Sequence, residues 1–295
     1  MKVRVASHLG MCFGVRDAID LAMGLTQRGP VTILGDLVHN PDVVAQVDAA
    51  GAIRVRQVDE VATRTVLLTA HGTADRVKLQ LRLAGHEVHD ATCPLVHRAH
   101  LALARLVAEG YYPVVIGQAG HVEVRGLVGD LEDCTIILED ADIDRLVERF
   151  GTGFQNNQRV KLGLVSQTTQ PLERVLELVE QVRQRLPDAE VRFLDTVCQP
   201  TKDRQASLRE LAQACEVVVV VGGPDSNNSR KLTELARQLG CRAYQVAGAG
   251  ELKPEWFAGV ESVGLTAGTS TPDRVIDEVR LWLEALNSCA TSVPA

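Results

Sequence analysis

Short β-branched runs alternate with helical stretches along the whole of this 295-residue chain. Strands read at Lys2–Ala6, Val31–Leu34, Val66–Thr69, Val114–Ile116, Thr135–Leu138, Lys161–Val165, Val191–Phe193, Val217–Val221 and Ser262–Thr266. Helices read at Val15–Arg28, Pro94–Glu109, Pro171–Leu186, Lys202–Ala214, Ser229–Leu239 and Pro272–Leu286. Strands and helices in alternation imply βαβ units, since a parallel neighbour needs a crossover of a dozen residues or more, usually a helix. The strands are short and continuously apolar, as expected of strands covered on both faces.

The alternation is also repetitive. Asp90-Ala91-Thr92-Cys93 and Asp195-Thr196-Val197-Cys198 share an Asp-x-x-Cys turn that leads into a helix. Val114-Val115-Ile116-Gly117, followed by a polar loop through Glu123, parallels Val219-Val220-Val221-Gly222 and the loop to Asn228. Leu162–Pro171 parallels Val263–Pro272, each ending with Pro at the start of a helix, where its missing N–H costs nothing. The expected architecture is therefore α/β with three related lobes: residues 1–93, 94–194 and 195–271. The C-terminal helix, 272–295, has no counterpart in the repeats and is expected to pack back on the first lobe, with the tail from Asn287 frayed.

Three cysteines sit in turns between an apolar run and a helix: Cys12, Cys93 and Cys198. Such turns are where open α/β sheets build ligand sites. A ligating thiol must be a thiolate, and a helix N-terminus lowers thiol pKa. One thiol from each of three distant turns points to one metal or iron–sulfur centre where three sheets converge. Three Cys and one His make a zinc site, but zinc sites favour close-spaced pairs, and there is no Cys-x-x-Cys among the seven cysteines. Wide spacing better suits a cubane cluster with one iron left open as a Lewis acid. Cys134, Cys215 and Cys241 lie in or beside apolar runs and read as core thiols, and Cys289 lies in the tail.

Composition narrows the function. A net charge of −7 and 3% aromatic residues exclude the basic stripe and stacking platform of a nucleic-acid binder. No apolar run reaches membrane-spanning length, and the short, charged N-terminus is unlike a secretory signal, so a cytoplasmic protein with reduced thiols is expected. Neither a P-loop nor a GxGxxG run is present. What the strand ends do carry is polar: His39-Asn40, His71-Gly72, Gly120-His121-Val122-Glu123, Gln167-Thr168-Thr169, Ser226-Asn227-Asn228 and Ser270-Thr271. Helix N-termini with such side chains bind phosphate. Glu123 is the one carboxylate in this set with His two residues before it, and in a dry pocket its raised pKa suits a proton donor. Asp90 and Asp195 read as loop-orienting residues.

Gly10-Met11-Cys12-Phe13-Gly14-Val15, Ala91-Thr92-Cys93-Pro94-Leu95-Val96, Gly120-His121-Val122-Glu123-Val124, Ser166-Gln167-Thr168-Thr169 and Thr266–Pro272 resemble, in order along the whole chain, the 4-hydroxy-3-methylbut-2-enyl diphosphate reductase family, also called LytB or IspH. The resemblance implies a three-lobed trefoil around a central [4Fe-4S] cluster held by Cys12, Cys93 and Cys198, with one open iron. It implies that His39, His71, His121, Ser226, Asn228 and Ser270 hold a substrate diphosphate, that Thr168 holds the substrate hydroxyl and relays protons, and that Glu123 delivers them. The implied reaction removes the hydroxyl of an allylic alcohol diphosphate to give isopentenyl and dimethylallyl diphosphate, the last step of the methylerythritol phosphate route to isoprenoids. Ferredoxin or flavodoxin is the implied electron donor. Asn227 stands where the family usually has Ser and keeps the capacity to bind phosphate; Val122 replaces Pro, Arg125 replaces Glu, Pro224-Asp225 replaces Lys-Asn, and Ser7-His8-Leu9 is atypical. Two other readings share these residues: an iron–sulfur paralogue acting on a different allylic diphosphate, and a non-catalytic iron–sulfur or zinc redox sensor.

Overall fold

The computed structural model describes residues 1–151, 154–155 and 158–290. The chain opens with β1 (Lys2–Val5) and α1 (Phe13–Thr26). Then come β2 (Val31–Leu34), α2 (Pro41–Ala49), β3 (Ala52–Val55), β4 (Thr65–Leu68), α3 (Asp75–Leu83) and β5 (Glu87–Asp90). The middle of the chain forms α4 (Pro94–Ala108), β6 (Tyr112–Ile116), α5 (Val122–Val128), β7 (Thr135–Ile137), α6 (Asp140–Phe150), β8 (Phe154–Gln155), β9 (Gln158–Arg159), β10 (Lys161–Ser166), α7 (Leu172–Arg185) and β11 (Glu190–Phe193). The last third forms α8 (Gln199–Ala214), β12 (Val217–Val221), α9 (Asn227–Gln238), β13 (Arg242–Val246), β14 (Ser262–Ala267) and α10 (Asp273–Ala290).

Twelve of these strands make three four-stranded sheets, ordered β3-β2-β4-β5, β11-β10-β6-β7 and β1-β14-β12-β13. Every neighbouring pair within them is parallel. The α/β class and the three parallel-sheet lobes expected from the repeats are thus present. Numbered within its own lobe, each sheet has the order 2-1-3-4, so the strand order, though not the strand direction, reverses at the central pair: β2 and β4, β6 and β10, or β12 and β14. Ligand crevices of open α/β sheets open at that point, beyond the carboxyl ends of the strands.

One boundary differs from the expected first lobe of residues 1–93. The third repeat has only three strands of its own, which leaves the outer edge of β14 bare. β1 fills it, in register from Lys2 opposite Ser262 to Val5 opposite Leu265. The N-terminal strand is therefore the fourth strand of the third sheet. The C-terminal helix follows it: Val275, Ile276, Val279 and Leu283 of α10 pack on Val217, Val219, Val263 and Leu265 of that sheet, together with Met1 and Val3 at the start of the chain. Helix α10 also runs through residue 290, past the expected fraying point at Asn287; residues 291–295 lie outside the described residues.

By contact, the chain forms two compact units: residues 1–16, 38–46 and those from 199 onward in one, and residues 17–37 and 47–198 in the other. The cores are dominated by fully covered β-branched and leucine side chains; all five valines of β12 are 0% exposed. Among the described residues no helix is long and apolar enough to cross a membrane.

Candidate active site

The topology sorts the site residues by strand. His39 follows β2 and His71 follows β4; His121 and Glu123 follow β6 and Thr168 follows β10; Ser226, Asn227 and Asn228 follow β12 and Ser270 follows β14. Every one of them lies beyond the end of a central strand. The three cysteines follow the fourth strand of each sheet: Cys93 after β5, Cys198 after β11 and Cys12 after β1. The placement of β1 in the third sheet thus leaves each sheet with one cysteine.

In the larger unit Glu123 is the central group. It lies in the first turn of α5, 2% exposed, among Val124 and Leu127. The Thr168 backbone N–H donates to Glu123 Oε1 at 2.6 Å, and the Thr168 hydroxyl donates to Glu123 Oε2 at 3.0 Å. Burial pushes the Glu123 carboxyl up to about 7, and the two bonds from Thr168 hold it back from rising further. A carboxyl titrating near neutral pH serves both as donor and as acceptor of protons. With Glu123 ionised the Thr168 hydroxyl points its proton at it; with Glu123 protonated the bond can reverse and Thr168 can donate onward. The Thr168 carbonyl in turn accepts from the backbone N–H of Cys198 at 3.0 Å, so the acid, the hydroxyl and a thiol turn are joined in one short chain.

His121 caps α5. Its Nδ1 accepts from the Glu123 backbone N–H at 3.1 Å, which leaves the ring proton of the neutral imidazole on Nε2. Val122, at the N1 position that suits Pro, is held by this side-chain cap instead. The rings of His71 and His121 meet edge to face, with centroids 5.9 Å apart. Gly72 and Gly126 let the His71 turn and α5 pack closely. Gly72 adopts φ +83°, a Cβ there would lie 2.8 Å from His100 Nε2, and its carbonyl lies 2.9 Å from where a Cβ of Gly126 would stand. Burial lowers the pKa of His100, with Lys78 contributing, and its ring packs against Gly72. Asp90 orients the next turn as expected, bonded to the hydroxyl and amide of Thr92 and paired with Lys78 at 3.0 Å. Burial pushes its carboxyl up, but these partners outweigh burial and its pKa lies below the usual value. Asp195 does the same for the Val197 amide at 3.0 Å.

In the other unit Ser226 caps α9 and Asn228 is buried with no hydrogen-bond partner for Nδ2 among the described residues. A buried amide that still has N–H to give is a seat for an acceptor. Asn227 Oδ1 accepts from Arg230 at 2.8 Å. The Ser270 hydroxyl donates to the His39 carbonyl at 3.0 Å, so Ser270 ties down the His39 loop and must rotate to donate to a ligand. The Cys12 amide bonds to the Thr269 carbonyl at 3.0 Å.

Arg204 is a site-supporting residue that the sequence motifs do not mark. It is 5% exposed on α8, and its guanidinium donates to the carbonyl of Pro200 at 2.8 Å and to that of Gly10. One side chain therefore clips the turn of Cys12 to the first turn of the helix that Cys198 precedes. Nothing in Lys202-Asp203-Arg204-Gln205 marks it out, because the helix is polar along its length. Arg204→Met is expected to lower stability by about 2–4 kcal/mol, through carbonyls left without a donor; urea denaturation of wild type and variant at one pH measures it, and an unchanged midpoint contradicts the clip.

The thiols suit an iron–sulfur cluster. Cys12, Cys93 and Cys198 form no disulfide and are partly exposed, and each opens a helix; Cys93 is the N-cap of α4. Cys215 and Cys241 are free but buried in the core, where burial raises both thiol pKa values. Among the described residues no three His, Cys, Asp or Glu side chains are grouped as a site for a single metal ion.

Comparison with known proteins places the chain in a family. A family profile described as LytB protein matches residues 3–284. A 4-hydroxy-3-methylbut-2-enyl diphosphate reductase of Anaeromyxobacter sp. (strain Fw109-5) is 36% identical over 298 residues, covering 99% of this chain and 100% of the relative. The protein of that name from Aquifex aeolicus is 36% identical, covering 96% of each. Among solved structures, the E-1-hydroxy-2-methyl-but-2-enyl-4-diphosphate reductase of Plasmodium falciparum superposes with a TM-score of 0.87 at 25% identity, over 96% of this chain and 87% of that one. A second, of (E)-4-hydroxy-3-methyl-but-2-enyl diphosphate reductase, described as the terminal enzyme of the non-mevalonate pathway, gives 0.66 at 34% identity, over 96% and 99%. Matched over nearly its whole length by both profile and relatives, the chain belongs to the LytB protein family.

Proposed function

We propose that this protein is a 4-hydroxy-3-methylbut-2-enyl diphosphate reductase, replacing the allylic hydroxyl by hydrogen to give isopentenyl and dimethylallyl diphosphate. The balance is one alcohol, two electrons and two protons in, one reduced product and one water out. The observation that carries the reading is the Glu123–Thr168 pair, a buried carboxyl near neutral pKa hydrogen-bonded to a hydroxyl at the end of a central strand.

Cys12, Cys93 and Cys198 would hold a [4Fe-4S] cluster, which, when bound, supplies a Lewis-acidic iron and one-electron steps. The electrons are assigned to an external ferredoxin or flavodoxin. The remaining work falls to the chain. Ser226, Asn227, Asn228, Ser270 and His39 supply polar groups for the diphosphate, with the N-terminus of α9 adding its positive end. His71 and His121 supply imidazole donors, His121 through Nε2. Thr168 holds the substrate hydroxyl, and Glu123 sends a proton through it so that the oxygen leaves as water. Burial of Glu123 and Thr168 keeps bulk water from that proton path.

The diphosphate seat is tested by giving reconstituted protein the alcohol with and without its diphosphate. The non-phosphorylated alcohol is expected to show kcat/KM lower by about 10³-fold, equivalent to about 4 kcal/mol of transition-state binding. Equal kcat/KM for both would remove the diphosphate from the reading.

A further inference from the structure

We infer that Ser229 is a positioning residue that commits the Ser226 hydroxyl to donating, and so makes the start of α9 select fully ionised phosphoryl oxygen; this deepens the diphosphate reading above and rests on it. Ser229 is 0% exposed and Ser226 3%. Ser226 Oγ accepts twice from Ser229: from the hydroxyl at 2.9 Å and from the backbone N–H at 3.3 Å. A serine hydroxyl has two lone pairs and one proton. Both acceptor positions of Ser226 are therefore spent, and among the described residues no acceptor takes its proton. What Ser226 can still offer a ligand is O–H.

The Ser229 hydroxyl has no freedom to do otherwise. It sits in a cleft between two glycines: a Cβ on Gly222 would lie 2.0 Å from Ser229 Oγ, and one on Gly268 2.1 Å. The Thr233 hydroxyl donates to the Ser229 carbonyl at 3.0 Å and fixes the backbone behind it. Gly222 and Gly268 follow the central strands β12 and β14, so close packing at the end of the central pair pins Ser229, and Ser229 sets the polarity of Ser226. Asn228 Nδ2, in the first turn of the same helix and buried without a partner among the described residues, is a second unspent donor. Two unspent donors at a helix N-terminus match an oxygen that only accepts; a group that brings its own proton meets donor against donor.

The test is a double-mutant cycle on the full chain, with inorganic diphosphate as probe and calorimetric Kd as readout: wild type, Ser226→Ala, Ser229→Ala and the double variant. Both changes only remove an oxygen, and thermal melts of the variants check folding. Ser229→Ala is expected to weaken diphosphate binding about 10-fold, equivalent to about 1.4 kcal/mol. The double variant is expected to bind no more weakly than Ser226→Ala alone, because Ser229 acts through Ser226. In the reconstituted enzyme the same substitution raises KM and leaves kcat within about twofold, a split that general loss of structure does not produce. Unchanged binding in Ser229→Ala, or effects that add in the double variant, would overturn the inference alone. Wild-type protein that does not bind diphosphate would remove the diphosphate reading and this inference with it.

Discussion

Glu123→Gln is expected to lower kcat by about 10²–10⁴-fold while leaving iron and sulfide content at the wild-type level. The substitution copies the protonated acid: the amide oxygen can accept the Thr168 N–H and the amide nitrogen can donate to the Thr168 hydroxyl, the two contacts Glu123 makes now. Folding is preserved and only the transferable proton is lost. The pH dependence carries the same signature. The carboxyl sits near 7 in the folded protein against an ordinary 4.5, so the folded state binds the extra proton between those values. Wild-type stability should therefore fall as pH rises through that window, by at most about 3 kcal/mol, and Glu123→Gln should lack this fall. Activity that depends on the protonated acid should decline above about pH 7 in the wild type. Turnover in Glu123→Gln within a few-fold of wild type would remove the acid role.

Cys93→Ser is expected to abolish stable cluster assembly, with iron and sulfide after anaerobic reconstitution falling to background. The apo-protein should melt at or above the wild-type temperature. Cys93 is the N-cap of α4 and makes no side-chain capping bond, whereas Ser is among the preferred caps. Loss of cluster with no loss of apo stability separates a ligand from a structural thiol. Cys215→Ser gives the opposite pattern: Cys215 is buried in the core, so a hydroxyl there costs stability while the cluster stays. Full cluster occupancy in Cys93→Ser would defeat the ligand assignment.

The legible part of the sequence was what local chemistry dictates. The central strands are continuous apolar runs, and helices such as α4 and α9 carry their own start signals, Pro94 at N1 and Ser226 at the cap. Both were visible without tertiary information. The four helices not read lack such signals or hide them. The N-terminus of α3 has no side-chain cap of its own; the carboxylate of Asp130, 55 residues on, accepts from the Asp75 N–H at 2.6 Å and the Arg76 N–H at 2.9 Å. Helix α5 is capped by a histidine and α6 by a Glu139–Asp142 box, neither a common opening. For α2 the signal is present, in Asn40 capping Val43 at 3.1 Å ahead of Pro41, but in sequence Asn40 is indistinguishable from a polar loop residue.

Besides the two-residue β8 and β9, the strands missed, β3, β5 and β13, all lie at sheet edges and carry charged residues, as in Glu87-Val88-His89-Asp90. Pairing, not propensity, makes them strands. The same reason hid the place of β1: four residues cannot say which of three bare edges they will complete. At the site, the residue types and their strand-end positions were legible. The bonds among them were not, because Arg204 clipping Gly10 and Ser229 gripping Ser226 follow from packing over long or crowded paths that periodicity does not record.

The central claim is tested most directly by anaerobic turnover of 4-hydroxy-3-methylbut-2-enyl diphosphate by reconstituted protein with a strong one-electron reductant. Isopentenyl and dimethylallyl diphosphate are expected, with one water released and two electrons consumed per substrate. Intact substrate in the presence of a full iron–sulfur complement would contradict it.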